Sequence, residues 1–162
     1  MNEIVSQEVR IVGPNGEKVD VMTFRGSFER DLKEFAEIDP DTFCLSLASI
    51  EDKCTDKTKS VILVHMAGLI TPEVFKIREF CKNQNITLVE DAAHAHGASI
   101  DGIRAGNLGD TGCFSFFPTK IMTTGEGGML TTSKEAIHIQ SNSLRQRGLD
   151  LSAQHECFSN LG

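Results

Sequence analysis

The sequence contains no tryptophan and no tyrosine, so its aromatic side chains are ten phenylalanines and five histidines. No basic segment followed by an apolar stretch opens the chain, and we therefore expect no signal peptide. The longest apolar run, Val61 to Ile70, is about half of a membrane span. It favours a buried strand over a membrane helix, and we expect no membrane partner.

The cysteines are odd in number and form no C-x-x-C pair, although there are five of them. This pattern argues against a disulfide framework or a zinc ribbon and favours a cytoplasmic protein. The formal net charge of -7 argues against nucleic acid as a partner, because nucleic-acid binding needs clustered Lys and Arg. A chain of 162 residues is long enough for one domain with a hydrophobic core.

The first part of the chain has an irregular pattern. Residues 8–12 and 18–24 alternate loosely around the turn signal at Asn15 and Gly16, which predicts a hairpin. Residues 28–38 have the apolar spacing of a short helix, and residues 43–47 suggest a short strand. We divide the chain into a divergent segment, residues 1–30, and a domain, residues 31–162.

The pattern then becomes regular. Val61–Met66 is a continuous apolar run, typical of a strand covered on both faces. Thr71 and Pro72 supply an N-cap and a first-turn proline for a helix, and Ile86–Val89 predicts the next strand. Such a strand–helix–strand unit normally joins parallel strands, so the fold class is α/β. The helix should bury Val74, Ile77, Phe80 and Cys81, and further elements are expected at 112–117 (strand), 128–132 (strand) and 133–147 (helix).

Polar residues follow the second of these strands. Asp91 lies at its carboxyl end, where ligands gather in open α/β sheets, although a lone Asp is more often a turn or capping residue. His94 and His96 come next, and two histidines in a loop are often only polar surface. A metal site formed by His65, His94, His96 and a cysteine is an alternative, but this spacing has no firm ligand geometry.

Lys120 follows a predicted strand and a proline, and it precedes the glycine-rich segment 125–128. Taken alone, it would be a solvated surface lysine, and the glycines would form a hairpin turn. Glycines also allow the backbone to bend sharply and to approach a ligand closely. The position of Lys120 gains meaning only together with the upstream residues.

Three stretches in order resemble the DegT/DnrJ/EryC1/StrS family of pyridoxal-phosphate (PLP)-dependent aminotransferases. They are VEDAAHAHGA (89–98), GDTGCFSF (109–116) and SFFPTK through TTGEGGMLTT (115–132). Residues 37–68 also resemble the family's sequence leading to its V-H-x-x-G strand. The resemblance implies part of the large domain of the PLP-dependent transferase fold (aspartate aminotransferase-like, fold type I), with a mostly parallel sheet flanked by helices.

The resemblance also implies roles for four residues. Lys120 matches the catalytic lysine that forms the internal aldimine with the cofactor pyridoxal 5'-phosphate and later moves the proton. Asp91 matches the carboxylate that keeps the pyridine nitrogen protonated. His94 matches a position beside the cofactor ring and its phenolic oxygen, and Ser115 matches a serine that contacts the phosphate.

The family context implies a substrate class as well. Sugar dehydratases of this group typically carry His where this chain has Lys120, so amino transfer is favoured over 3-dehydration. The family's usual donor is glutamate, and its usual acceptor is a 4-keto or 3-keto nucleotide hexose. A cytoplasmic homodimer in polysaccharide biosynthesis is the corresponding biological expectation.

The sequence departs from the family in two ways. Residues 1–30 show no convincing match to the family's phosphate-binding element, and the C-terminal small domain is absent. With Ser115 as the one matched phosphate ligand, we expect weak cofactor binding, exposed apolar surface and little or no activity in the isolated chain. The alternative function is therefore a truncated remnant that acts as a partner, or dimerising subunit, of a full-length homologue.

Overall fold

The computed structural model describes residues 20–22 and 36–145, which fall into two units divided between Thr131 and Thr132. The first unit contains nearly all described elements. In chain order they are strand β1 (Asp20–Met22), helix α1 (Leu47–Lys53), β2 (Thr58–Val64), α2 (Val74–Asn83), β3 (Thr87–Asp91), β4 (Ser99–Ile100), β5 (Ile103–Arg104), β6 (Thr111–Ser115) and β7 (Gly128–Thr131). The second unit contains helix α3 (Glu135–Arg145).

The main sheet has five strands in the order β1-β2-β3-β6-β7. The first four are parallel to their neighbours, and β7 pairs with β6 in the antiparallel sense. Strands β4 and β5 form a separate two-stranded hairpin. The predicted α/β class with a mostly parallel sheet is confirmed.

The predicted strand–helix–strand unit is confirmed as β2–α2–β3. Its helix buries Val74, Ile77 and Cys81, which share one hydrophobic core with the strand residues Val61 and Leu88. The helix begins later than Thr71 suggests, with Glu73 in the capping position and no side-chain cap bond. Instead, the Thr71 hydroxyl accepts a hydrogen bond from the backbone N–H of Glu73 at 3.3 Å.

Strand register assigns residues to the two faces of the sheet. In β2, Val61 and Leu63 are buried, whereas Ile62 and Val64 on the other face are only half-buried. The strand was predicted to be covered on both faces. Among the described residues, only the face of Val61 and Leu63 is fully covered. Since side chains alternate along a strand, the half-buried face is the one that carries Asp91, whose register partner is Val64.

The beginning of the chain corrects two predictions. Residues 43–47 do not form a strand: only Leu45 pairs, through an isolated bridge to Ile38, and helix α1 begins at Leu47. The Ser46 side chain caps that helix by accepting from the backbone N–H of Ser49 at 3.2 Å. The same bridge makes the end of the predicted helix 28–38 extended. The rest of that helix, the hairpin turn at Asn15 and the proposed boundary at residue 30 lie outside the described residues.

The later elements follow the predictions closely. Strands β6 and β7 lie within the expected ranges 112–117 and 128–132, except that β6 begins one residue early. Helix α3 lies within the expected range 133–147, and its predicted end at Gly148 is outside the described residues. No helix in the described part of the chain is long and apolar enough to cross a membrane.

Candidate active site

Asp91 ends strand β3, at the carboxyl edge of the parallel strands. One of its carboxylate oxygens, Oδ1, accepts a hydrogen bond from the backbone N–H of Ala93 at 3.1 Å. This bond turns the chain sharply after the strand. Asp91 therefore has the turn role that the alternative predicts, and this role uses one carboxylate oxygen. The second oxygen of the half-buried side chain can bind other partners.

His94 and Lys120 lie side by side, although 26 residues separate them in sequence. The Nζ atom of Lys120 lies 3.1 Å from Nε2 of His94. When the lysine is protonated it can only donate, and the imidazole then accepts at Nε2 with its own proton on Nδ1. His94 is exposed and Lys120 is half-buried, so the amine is accessible to a ligand while it is held by a hydrogen bond.

Ser115 ends strand β6 on the same face of the sheet as Asp91. The register partner of Asp91 is Cys113, and Ser115 follows two residues later, so the side chains of all three share a face. The Ser115 hydroxyl accepts a hydrogen bond from the backbone N–H of Phe117 at 3.3 Å. The structure thus brings the four predicted residues to one edge of the sheet, with a direct contact between His94 and Lys120.

The segment between β6 and β7 is folded back on itself by backbone bonds. Phe116 donates to the carbonyl of Gly127 at 2.9 Å and accepts from Thr124 at 3.1 Å. Lys120 donates its backbone N–H to the carbonyl of Phe117 at 2.9 Å. These bonds fix the backbone around Lys120, and the glycine-rich segment 125–128 leads into β7 as the turn interpretation predicts.

A buried charged network lies on the opposite face of β3. Glu90 is fully buried and receives four hydrogen bonds: from His65 Nε2 at 2.9 Å and from the backbone N–H groups of Gly106, Leu108 and Gly109 at 2.6–2.7 Å. Burial alone would raise the pKa of Glu90, but the hydrogen bonds from His65 and the amides outweigh it and lower the pKa. Glu90 is therefore a carboxylate inside the protein, with all of its acceptor sites filled.

Sequence reasoning gave Glu90 no role, and it assigned His65 only to the alternative metal site. Both residues had a visible signal, because His65 interrupts the apolar run Val61–Met66 and Glu90 directly follows the predicted strand Ile86–Val89. A polar group in such a place needs a hydrogen-bonding partner. No group of three or more His, Cys, Asp or Glu side chains within residues 20–22 and 36–145 is placed to hold a metal ion.

The surroundings of Cys113 show which charges act at the site. Burial raises the pKa of its thiol, and the nearby carboxylates of Asp91 and Glu90 raise it further. Both carboxylates therefore act on the same half-buried position at the edge of the sheet. A negative potential of this kind favours a ligand group that carries a positive charge.

His96 packs as an aromatic ring rather than as a polar group. Its ring centroid lies 5.4 Å from that of Phe114 and 5.5 Å from that of Phe116. Both ring nitrogens are buried and lack a hydrogen-bond partner in the structure. An unsatisfied buried polar atom costs about 1–3 kcal/mol, so this position is built for an apolar ring.

We expect His96→Phe to raise the free energy of unfolding by about 1 kcal/mol, because it removes two unsatisfied nitrogens and keeps the ring contacts. His96→Asn should lower it by about the same amount. Urea unfolding followed by circular dichroism would measure both variants. Loss of stability in His96→Phe, with no change in His96→Asn, would indicate that the imidazole has a polar function.

Known proteins can be compared with this chain on the same residues. The profile of the DegT/DnrJ/EryC1/StrS aminotransferase family matches residues 33–161. The chain belongs to this family. The match includes the edge of the sheet where Asp91, His94, Ser115 and Lys120 lie.

Individual members of the DegT/DnrJ/EryC1/StrS family agree with this assignment. GDP-perosamine synthase of Caulobacter vibrioides is 43% identical over 112 residues, which are 69% of this chain and 30% of that protein. L-glutamine:2-deoxy-scyllo-inosose aminotransferase of Streptomyces kanamyceticus is 36% identical over 114 residues, 70% of this chain and 26% of that protein. The matched segment thus spans less than a third of these two relatives.

Solved structures of the family have the same fold. An aminotransferase from Psychrobacter cryohalolentis superposes with a TM-score of 0.72 at 35% identity, covering 76% of this chain and 31% of that structure. The matched part of the chain therefore has the architecture of a PLP-dependent aminotransferase, as the sequence resemblance implies.

Proposed function

We propose that this chain provides the cofactor-binding part of a PLP-dependent aminotransferase that transfers an amino group to a keto sugar linked to a nucleotide. The observation that carries the proposal is the 3.1 Å contact between Lys120 Nζ and His94 Nε2. His94 follows Asp91 at the end of β3, and Lys120 follows the neighbouring strand β6. This arrangement brings an amine, an imidazole and a carboxylate to one edge of the sheet. The family membership and GDP-perosamine synthase among the relatives support the substrate class.

The side chains present fit PLP in their chemistry. The carboxylate of Asp91 contributes negative potential at this edge of the sheet, which suits a protonated pyridine nitrogen. The Lys120 amine would attach the cofactor, and the Ser115 hydroxyl would contact its phosphate. When bound, PLP supplies an electron sink that stabilises negative charge on the donor and acceptor carbons.

The residues of this chain would divide the remaining work among them. Lys120 must lose a proton before its amine can act as a nucleophile, and His94 Nε2 is placed to receive it. Once free of the cofactor, the same amine would take the proton from the amino-bearing carbon of the donor and pass it to the cofactor, and it would act in the reverse direction on the acceptor. Asp91 would keep its charge throughout, because it has to hold the pyridine nitrogen in the protonated form.

Phosphate binding is the weak part of the proposed site. A dianionic phosphate normally needs several charge-assisted hydrogen bonds. Among the described residues, Ser115 is the one that we assign to the phosphate. We therefore propose weak cofactor binding and low activity for these 162 residues by themselves. The donor is either glutamate, the usual one in the family, or glutamine, which the Streptomyces relative uses by its name.

Cytoplasmic location, a homodimer and a place in polysaccharide biosynthesis belong to the same proposal. The four cysteines within the described ranges are free thiols, in keeping with a reducing compartment: Cys44, Cys54, Cys81 and Cys113.

Exposed apolar side chains follow β6 and continue into β7, which is an edge strand of the described sheet. These side chains are Phe117, Ile121, Met122, Met129 and Leu130.

The exposed apolar side chains also favour a second candidate function, that of a non-catalytic partner of a full-length homologue. Exposed apolar side chains beside the edge strand of a sheet are a common site of association between chains. In this case Lys120 and Asp91 would be inherited from an active enzyme without being used. The two functions differ in whether the chain itself transfers an amino group.

The decisive experiment combines labelling with turnover. The purified chain is incubated with PLP, reduced with borohydride and digested, and the modified lysine is identified by mass spectrometry. We expect the label on Lys120, with saturation only well above micromolar PLP. Amino transfer is then assayed with L-glutamate or L-glutamine and a nucleotide-linked 4-keto or 3-keto hexose.

Label on other lysines, with none on Lys120, would contradict the proposed role of Lys120. Label on Lys120 without transfer from either donor, together with a stable complex with a full-length homologue, would favour the partner function. Micromolar saturation with turnover would show that the phosphate site is more complete than we propose.

A further inference from the structure

The turn after strand β2, residues 65–68, contacts the backbone of both Asp91 and His94. His65 uses its backbone N–H to donate to the carbonyl oxygen of Asp91 at 3.0 Å. Its side chain binds the adjacent residue, Glu90, at 2.9 Å. One histidine therefore fixes two consecutive residues of β3, immediately before the turn that carries His94.

Gly68, at the other end of this turn, lies against the carbonyl group of His94. A Cβ atom built on Gly68 would lie 2.9 Å from that oxygen, closer than real Cβ contacts allow. The neighbour is backbone, which cannot move aside as a flexible side chain can. Gly68 also has a φ of +90°, so glycine is required here for its conformation as well as for the close approach.

Ala67 supports the same interpretation from backbone strain. Its φ is +53° and its ψ is +20°, in the left-handed region that costs a non-glycine residue about 1 kcal/mol. Such conformations persist when the surrounding contacts determine them, and they cluster at functional sites. Ala67 and Gly68, both at positive φ, direct the chain from β2 to the backbone of His94, in the turn that follows β3.

We propose that His65 and Gly68 are positioning residues that set the location of Asp91 and His94 relative to Lys120. This inference rests on the proposed function of those three residues. It gives a role to the V-H-x-x-G segment, which lies against the backbone of Asp91 and of His94. His65 positions Asp91 through its backbone, and Gly68 positions His94 by allowing close packing against its carbonyl.

The chain offers a matched control for Gly68. Gly102 lies in the β4–β5 hairpin with a similar φ of +78°, and an added Cβ there would meet no atom within 4 Å. Gly68→Ala and Gly102→Ala therefore share the conformational cost of alanine at positive φ. They differ in the clash with His94, so differences between their effects measure the positioning role.

The test uses the full chain and two readouts. The first is the affinity for PLP itself, measured by absorbance titration. The second is the pH titration of the His94 ring by NMR without PLP, with the signal identified from its loss in His94→Gln. We expect Gly68→Ala to weaken PLP binding about tenfold and to shift the His94 titration, because small displacements of a positioned group are costly. Gly102→Ala should match the wild type in both.

A conservative pair tests His65 in the same way. His65→Gln keeps a side-chain N–H near the Nε2 position and should retain PLP affinity, whereas His65→Leu should lose it. Equal PLP affinity and an equal His94 titration in Gly68→Ala and Gly102→Ala would overturn the inference. If the wild type does not bind PLP, the proposed function fails, and the His94 titration alone decides whether the turn positions that ring.

Discussion

Lys120→Arg should abolish the covalent capture of PLP and lower amino transfer by at least about 1,000-fold, the scale seen when an enzyme loses its nucleophile. Arginine keeps the positive charge and can still donate to His94. Its guanidinium does not lose a proton in proteins, so it cannot act as an amine nucleophile. Borohydride reduction with peptide mass spectrometry measures capture, and a coupled donor assay measures transfer.

Lys82→Arg is the matched control for this substitution. Lys82 lies exposed in the last turn of α2, away from the sheet edge that carries the site. The Lys82→Arg substitution should leave both the labelling of Lys120 and any amino transfer unchanged. The role of Lys120 would be refuted if Lys120→Arg retained the same yield of reduced adduct as Lys82→Arg.

Glu90→Gln should lower the free energy of unfolding at neutral pH by about 3 kcal/mol, because buried donors lose the charged acceptor to which they bind. The amide has nearly the same shape as the carboxylate. However, each carboxylate oxygen of Glu90 faces two donors, so the new NH₂ group would meet a backbone N–H wherever it points. Circular dichroism is the suitable probe, because the chain has no Trp or Tyr.

The effect of Glu90→Gln should depend on pH in a defined direction. The folded-state pKa of Glu90 is lowered, so ionised Glu90 stabilises the fold above its unfolded pKa of about 4.3. That stabilisation is lost as the pH falls through the folded value, and the gap between wild type and Glu90→Gln should shrink there. Exposed Glu79→Gln, the control, should stay within about 0.5 kcal/mol of wild type.

A gap that stayed constant down to pH 3 would contradict an ionised Glu90 and would point to packing alone. The double variant His65→Leu with Glu90→Leu tests the network further. Replacing both partners of an ordinary buried ion pair is often harmless. Here the backbone N–H groups of Gly106, Leu108 and Gly109 would remain without an acceptor, so the double variant should be no more stable than Glu90→Gln.

The sequence was sufficient for the β2–α2–β3 unit because two strong signals agree there. A continuous apolar run predicts a buried strand, and apolar residues at helical spacing predict the face that packs on it. Helix α1 escaped prediction because it is seven residues long and buries one side chain, Ile50. The apolar residues just before it resemble a strand, and the capping signal at Ser46 is weak without a longer periodic segment.

The candidate site divides in the same way. Residues with a family pattern, such as Asp91 and Lys120, could be named from sequence, since their chemistry is local to a short motif. Their mutual distance could not, because the contact of Lys120 with His94 depends on how β6 lies beside β3. The network around Glu90 joins a residue of β3, the turn after β2 and the loop after β5, and no single segment of sequence displays it.

The order of the two acids at the end of β3 has a consequence for any attempt to edit this protein. Glu90 and Asp91 point to opposite faces, and the amides of Gly106, Leu108 and Gly109 bind the longer side chain. A chain with Asp at 90 and Glu at 91 would have identical composition, charge and mass. The shorter acid would fall about one methylene short of its donors, and the longer one would crowd the ligand side. Measures that average over residues, such as hydropathy or isoelectric point, cannot detect that exchange.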